Sequence, residues 1–238
     1  MKTKRIVILA GAILLVSALV LAVLLYTGTV QINHPSREKY PVRGVDVSAY
    51  QGEIDWGVLA RQGIGFAYIK ATEGSSMEDR RFRENWSDAG KTGLRIGAYH
   101  FFSFETGGQA QAQNFIDTVT AADGMLPPAV DVEPYGQFKD VTPAVLEELS
   151  VWLCAVEEQY GMKPVIYTTA AYYDAVNGAF PQYDIWIRSV YGTPPKDVCW
   201  TFWQYSNRRK LDGYAGDEQY IDMNVFAGTE EEFEQYGQ

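Results

Sequence analysis

Only two histidines and two cysteines occur among 238 residues. His34 stands in a stretch of turn formers, so a Ser-His-Asp or Cys-His site would have to use His100, and no G-x-S-x-G elbow accompanies it. His100 lies in the aromatic run "AYHFF", where a hydrogen-bonded structural role is as natural as a functional one. Two cysteines make neither a disulfide framework nor a zinc pattern. Cys154 falls in a helical pattern and Cys199 near a strand, which leaves their pairing open. One candidate histidine among scattered carboxylates gives no metal set. With no G-x-x-x-x-G-K-[ST] loop and no G-x-G-x-x-G fingerprint, no cofactor is called for. Basic residues are also scarce: 20 Lys and Arg stand against 30 Asp and Glu, a formal charge of −10, and no basic run follows the first five residues. Nucleic acid, whose binding depends on clustered Lys and Arg, is excluded as a partner.

Apolar and aromatic residues are plentiful. Hydrophobic content is 47%, with 16 Tyr and 6 Trp, enough for a large core and for rings that stack on sugars. The length suits a single α/β barrel. Twenty uncharged residues, 6–25, read "IVILAGAILLVSALVLAVLL" and span about 30 Å as a helix, the thickness of a hydrocarbon core. Lys2, Lys4 and Arg5 precede them, so the positive-inside rule predicts a single-pass anchor over 6–26, with 1–5 cytoplasmic and the remainder outside the cell. The alternative is a cleaved signal peptide and a secreted protein, although the run exceeds the usual ~7–15 apolar residues of such a segment and no A-x-A site follows. Residues 27–41 read as a short linker, and the soluble domain occupies 42–238.

Eight β-branched and aromatic runs follow: "RGVDVS", "FAYIKAT", "RIGAYHFF", "PAVDVE", "PVIYTT", "YDIWIRS", "WTFWQYS" and "YIDMNVF". Helical patterns occupy 56–62, 79–92, 109–120, 142–160 and 171–176. The fourth is the clearest, with Thr142 as N-cap, Pro143 in the first turn and Gly161 as its stop. This alternation predicts a parallel β/α barrel of eight strands and about five helices, irregular where no helix fits between the last strands.

Carboxylates are the chemistry that remains. In "PPAVDVEPYG" Asp131 and Glu133 stand two apart in a strand-like run, hence on one face. Asp46 and Asp222 lie in the first and last strand runs, which are neighbours once a barrel closes, and C-terminal strand ends converge on the mouth where sites of this fold sit. Clustered carboxylates suppress one another's ionisation, which keeps a proton available for a glycosidic leaving oxygen beside negative charge for the transition state. Each of Asp46 and Asp222 also has a plain reading as a turn or capping residue. Glu73 in "KATEG" either faces the site or lines a turn.

The stretches "RGVDVSAYQGEIDW" (43–56), "FAYIKATEG" (66–74), "GLRIGAYHFF" (93–102), "QAQAQNF" (109–115), "LPPAVDVE" (126–133), "PVIYT" (164–168), "FWQYS" (202–206) and "IDMNVF" (221–226), in that order, resemble the lysozymes of glycoside hydrolase family 25. The resemblance implies an irregular β/α barrel and N-acetylmuramidase activity on peptidoglycan glycan strands. It implies Glu133 as general acid, Asp131 as the group that orients the substrate acetamido, and Asp46 and Asp222 as the other site acids. Tyr99, Tyr167, Trp203 and Gln204 fall in matched strand-end motifs, where they line sugar subsites or pack the barrel. Arg188 in "WIRSVYG" stands where the family usually has a small residue. Two other readings use the same barrel: a non-catalytic wall-binding scaffold and a chitin-type glycosidase. Any partner in the cell-envelope machinery is not named by the sequence.

Overall fold

The computed structural model describes residues 2–138 and 140–238. Seven helices are present among them: α1 (Lys2–Tyr26), α2 (Trp56–Ala60), α3 (Phe82–Ala89), α4 (Gly108–Thr118), α5 (Pro143–Tyr160), α6 (Tyr173–Ala179) and α7 (Glu230–Gln235). The strands are β1 (Arg43–Val47), β2 (Glu53–Ile54), β3 (Phe66–Glu73), β4 (Met77–Glu78), β5 (Arg95–Phe101), β6 (Ala129–Val132), β7 (Val165–Thr169), β8 (Ile185–Arg188), β9 (Phe202–Arg209), β10 (Tyr214–Ala215) and β11 (Ile221–Phe226). Eight of them close a barrel in the order β1-β11-β9-β8-β7-β6-β5-β3, with β3 pairing back onto β1. These eight are the eight apolar runs of the sequence.

One direction differs from the expected parallel barrel: β11 runs antiparallel to both β9 and β1. A parallel neighbour needs a crossover of a dozen or more residues, usually a helix. Only the eleven residues 210–220 lie between β9 and β11, part of them spent on pairing β10 with β2. The chain therefore turns back. Because of this reversal, the start of β11, not its end, sits at the mouth, and the register sets Asp222 opposite Asp46.

Alternation along the strands sorts the core into two layers. Outward residues such as Val45, Ile69, Ala98, Val130, Ile166 and Ile187 pack under the helices, with Leu149, Trp152 and Leu153 of α5 above them. Inward residues fill the barrel with rings: Phe66, Tyr68, Trp186, Phe202 and Phe226. Two glycines make this plug fit. A Cβ on Gly44 would stand 2.3 Å from the Phe66 ring, and one on Gly97 would stand 2.4 Å from Tyr68. Tyr68 stacks on Trp186 at 4.8 Å, and Trp186 forms the top of the plug.

The five expected helices are present with small shifts in their ends. Thr142 caps α5 by accepting from the Val145 amide, and Gly161 stops it at φ 66°. α3 starts later than its pattern because Asp79 is held outside the helix, accepting from the Ala49 and Arg81 amides. α7 was not anticipated. Thr229 and Glu232 form a capping box at its start, and Phe233 seats it on the base of the barrel plug. Cys154 and Cys199 are both free and exposed.

Residues 27–35, expected as linker, lie against the barrel. Asn33 is buried and donates to the carbonyls of Ser189 and Tyr205, both at 2.9 Å. Gln31 donates to the Arg208 carbonyl at 3.0 Å and accepts from Ser206 Oγ at 2.6 Å.

Candidate active site

Above the aromatic plug the barrel opens into a cavity of about 360 Å³. Inward positions at the C-terminal strand ends supply its wall: Asp46 from β1, Lys70 from β3, Tyr99 and Phe101 from β5, Asp131 from β6, Tyr167 from β7, Arg188 from β8 and Gln204 from β9. Glu133, just past β6, and Asp222, at the start of β11, complete an acidic cup. Asp131 and Glu133 thus share one side of the mouth.

Side-chain amides hold the cup. Gln204 Nε2 donates to Asp46 Oδ1 and Oδ2 at 3.2 and 3.0 Å, and to Asp222 Oδ2 at 3.2 Å. Asn224 Nδ2 donates to Asp46 Oδ2 at 2.7 Å. Each amide is oriented in turn: Tyr167 OH donates to Gln204 Oε1 at 3.1 Å, and Trp186 Nε1 donates to Asn224 Oδ1 at 2.7 Å. Lys70 pairs with Glu73 at 2.6 Å and lies over the Phe101 ring.

Burial pushes all four carboxyls above the ordinary carboxylate range, because ionised oxygens lose water there. The Asn224 and Gln204 donors pull part of that shift back for Asp46. Asp222 goes well up through burial and the charge of Asp46. Burial and then the charge of Glu133 raise Asp131 well up. Glu133 rises through burial, an effect opposed first by Arg188 and reinforced by Asp46. Asp131 Oδ1 is buried and has no hydrogen-bond partner among the described residues. Burial also keeps the Tyr99 and Tyr167 hydroxyls protonated, as hydrogen-bond donors. A hollow with a proton-bearing acid, further carboxylates and donor rings is suited to acid-assisted cleavage of an acetal.

The sequence profile described as glycosyl hydrolases family 25 matches residues 45–214. The chain belongs to this family. The hydrolase is 50% identical to a family 25 glycosyl hydrolase from Bacillus anthracis of known structure, covering 88% of this chain and 98% of that one with a TM-score of 0.81. It is 38% identical to the protein YegX of Escherichia coli O157:H7, over 83% of this chain and 74% of YegX. Lysozyme M1 of Streptomyces globisporus is 32% identical over 79% of this chain and 68% of its own.

Of the residues singled out from the sequence of this glycoside hydrolase, Asp46, Asp131, Glu133, Asp222, Tyr99, Tyr167 and Gln204 line the cavity together with Arg188. Trp203 and Glu73 do not. Trp203 follows the alternation of β9 to the outer face, where it packs against Tyr40 and Trp200 and donates to the Ser189 carbonyl. Glu73 bonds Lys70 from outside the cavity. Sequence reasoning passed over Lys70, Trp186 and Asn224. Lys70 had a signal, a lone cation at an inward position of an apolar strand, and Trp186 lies two residues before Arg188 on the same face. His100 points outward, stacked on Trp152 and bonded to Thr72 at 2.7 Å and Gln111 at 3.0 Å. Burial lowers its pKa to about 4, which leaves it a neutral structural residue.

Proposed function

We propose that the chain is a membrane-anchored lysozyme that hydrolyses the β-1,4 bond between N-acetylmuramic acid and N-acetylglucosamine in peptidoglycan. The observation that carries this reading is the placement at one side of the cup of two buried carboxyls, Glu133 and Asp131, both raised above the ordinary carboxylate range, with the inner oxygen of Asp131 free of any hydrogen-bond partner among the described residues. Glu133 gives its proton to the leaving O4 as the C1–O bond breaks. The muramic acetamido carbonyl oxygen closes onto C1 to form an oxazolinium ring, and Asp131 accepts the acetamido N–H and so orients the group. Water then attacks C1, losing its proton to Glu133 and reopening the ring, with net retention. Asp46, whose ionisation its amide donors favour, adds negative charge opposite the cationic centre, and Asp222 fixes Asp46. The related proteins' family and the name lysozyme M1 support the substrate class.

The anchor reading rests on α1: an 18-residue stretch within residues 3–26 has a mean hydropathy of 3.1, and none of that stretch is buried in protein. It places the N-terminus in the cytoplasm and the barrel outside, on the cell membrane.

Glu133→Gln is expected to lower muropeptide release by about 10²–10⁴-fold with an unchanged thermal midpoint. Mass spectrometry of wild-type products should show new reducing N-acetylmuramic ends. Full activity in the variant, or new N-acetylglucosamine ends, would overturn the assignment. Proton NMR of the first-formed anomer separates retention from direct water attack with inversion.

A further inference from the structure

The end of α1 is fastened to the same wall of the barrel that lines the cleft. Arg208, on β9, donates to the Tyr26 carbonyl, and its guanidinium lies 4.8 Å from the Tyr26 ring and 5.5 Å from the Tyr220 ring. Tyr26 borders a surface hollow with Asn207, Glu218 and Tyr220, and those three residues also line the catalytic cavity. Immediately after α1, Gln31 and Asn33 tie the strap 27–35 to the carbonyls and hydroxyl of β8–β9. These bonds, one buried and three half-buried, leave no free tether between helix and barrel. A Cβ on Gly28 would stand 2.2 Å from the Arg208 carbonyl, so even the turn is fitted to the barrel.

A second observation concerns what stays uncovered. Val30, Ile32 and Tyr191 are 39%, 48% and 74% exposed, and they gather around one groove beside the last turn of α1. These apolar side chains share the groove with Tyr26 and Arg208, and Arg208 leads on to the Tyr220 ring, which also lies 5.3 Å from Lys210 Nζ. This matches the composition of a membrane–water boundary, where tyrosine rings and the stems of long cations sit at headgroup level.

We infer that the phospholipid headgroup layer covers this patch, so that the barrel sits on the bilayer with its cleft opening at the membrane surface and takes glycan held at that same membrane. The inference rests on the anchor reading above. A glycan strand still joined to a lipid carrier has this chemistry, which places the enzyme directly after polymerisation of lipid-linked glycan and ahead of incorporation into distant wall.

The test uses the full chain with Cys154→Ser and Cys199→Ser, carrying a single fluorophore on Tyr191→Cys or on Asp123→Cys at the opposite end of the barrel. It is reconstituted into phosphatidylglycerol–phosphatidylcholine vesicles containing headgroup spin-labelled lipid. Quenching several-fold stronger at 191 than at 123 is expected. An insertion of about twenty Gly/Ser residues between Thr29 and Val30 should remove that difference and leave hydrolysis of soluble glycan unchanged. Wild type should also cut lipid-linked strands in its own vesicle several-fold faster than soluble strands. Retention in the vesicle with equal quenching at both positions overturns this inference alone. Release of the chain from the vesicle overturns the anchor reading and this inference together.

Discussion

Arg188 reaches into a hollow lined by four carboxyls, yet no ion pair joins it to any of them among the described residues. Its charge nevertheless opposes the upward shift of Asp46, Asp131, Glu133 and Asp222. Removing it should therefore raise all four. For Arg188→Met the alkaline limb of the pH–rate profile, set by loss of the Glu133 proton, is expected to move to higher pH. A limb that stays in place or moves down would show that Arg188 acts on the substrate rather than on the acids. At this scale the sequence was informative about residue types: acids in first, fourth and last strands, and an arginine out of family pattern. Contacts were less legible. Gln204 and Asn224 grip Asp46 across 158 and 178 residues of separation, and nothing local marks an amide for that task. Of the two readings open for Trp203, packing the barrel is the one that strand alternation favours, since it adjoins Gln204 and neighbours in a strand face opposite ways.

Between elements, close approach is set by small residues at crossings. Gly108 opens α4 where that helix presses on α5: a Cβ there would lie 1.9 Å from the Glu148 carbonyl oxygen, while its amide donates to Glu148 Oε2 at 2.6 Å. Gly108→Ala must part the two helices and stretch that bond. A loss of about 1–3 kcal/mol is expected, read as a lower urea midpoint at unchanged slope, and a neutral result would mean that α4 shifts freely. The sequence announced all eight barrel strands because each is an apolar run bounded by turn formers. It did not announce strand direction, since β11 looks like any other run and only the missing helix before it bears on polarity. Nor did it reveal that 27–35 is docked. Asn33 and Gln31 sit in a polar, aperiodic stretch, and their partners are carbonyls that exist only once β8 and β9 are in place.

For the molecule as a whole, the cup exchanges stability for chemistry. An acid whose folded pKa lies above its unfolded value binds more protons folded than unfolded, so stability falls as pH rises through the raised value and recovers as pH falls toward about 4. Asp131 and Asp222 are in this position through burial and their charged neighbours. The double variant Asp131→Asn/Asp222→Asn is expected to be more stable than wild type by about 1 kcal/mol or more near pH 8, with much reduced activity. The gap in urea-unfolding free energy should close as pH approaches 4, and a gap independent of pH would refute the account. His100 works with the opposite sign: with a folded pKa of about 4, its contribution is present above its unfolded value near 6.5 and lost as pH falls between the two.

The clamp on Asp46 is built from groups with no proton to gain or lose in this range. Gln204, Asn224 and the Trp186 indole keep their donors and acceptors at pH 4 and at pH 8 alike, and burial keeps the Tyr167 hydroxyl intact. Acidity can therefore change the charge inside the hollow while its outline stays fixed. Inhibitors that match that outline should seat in the same pose across the working range, their affinity following the cup's proton count.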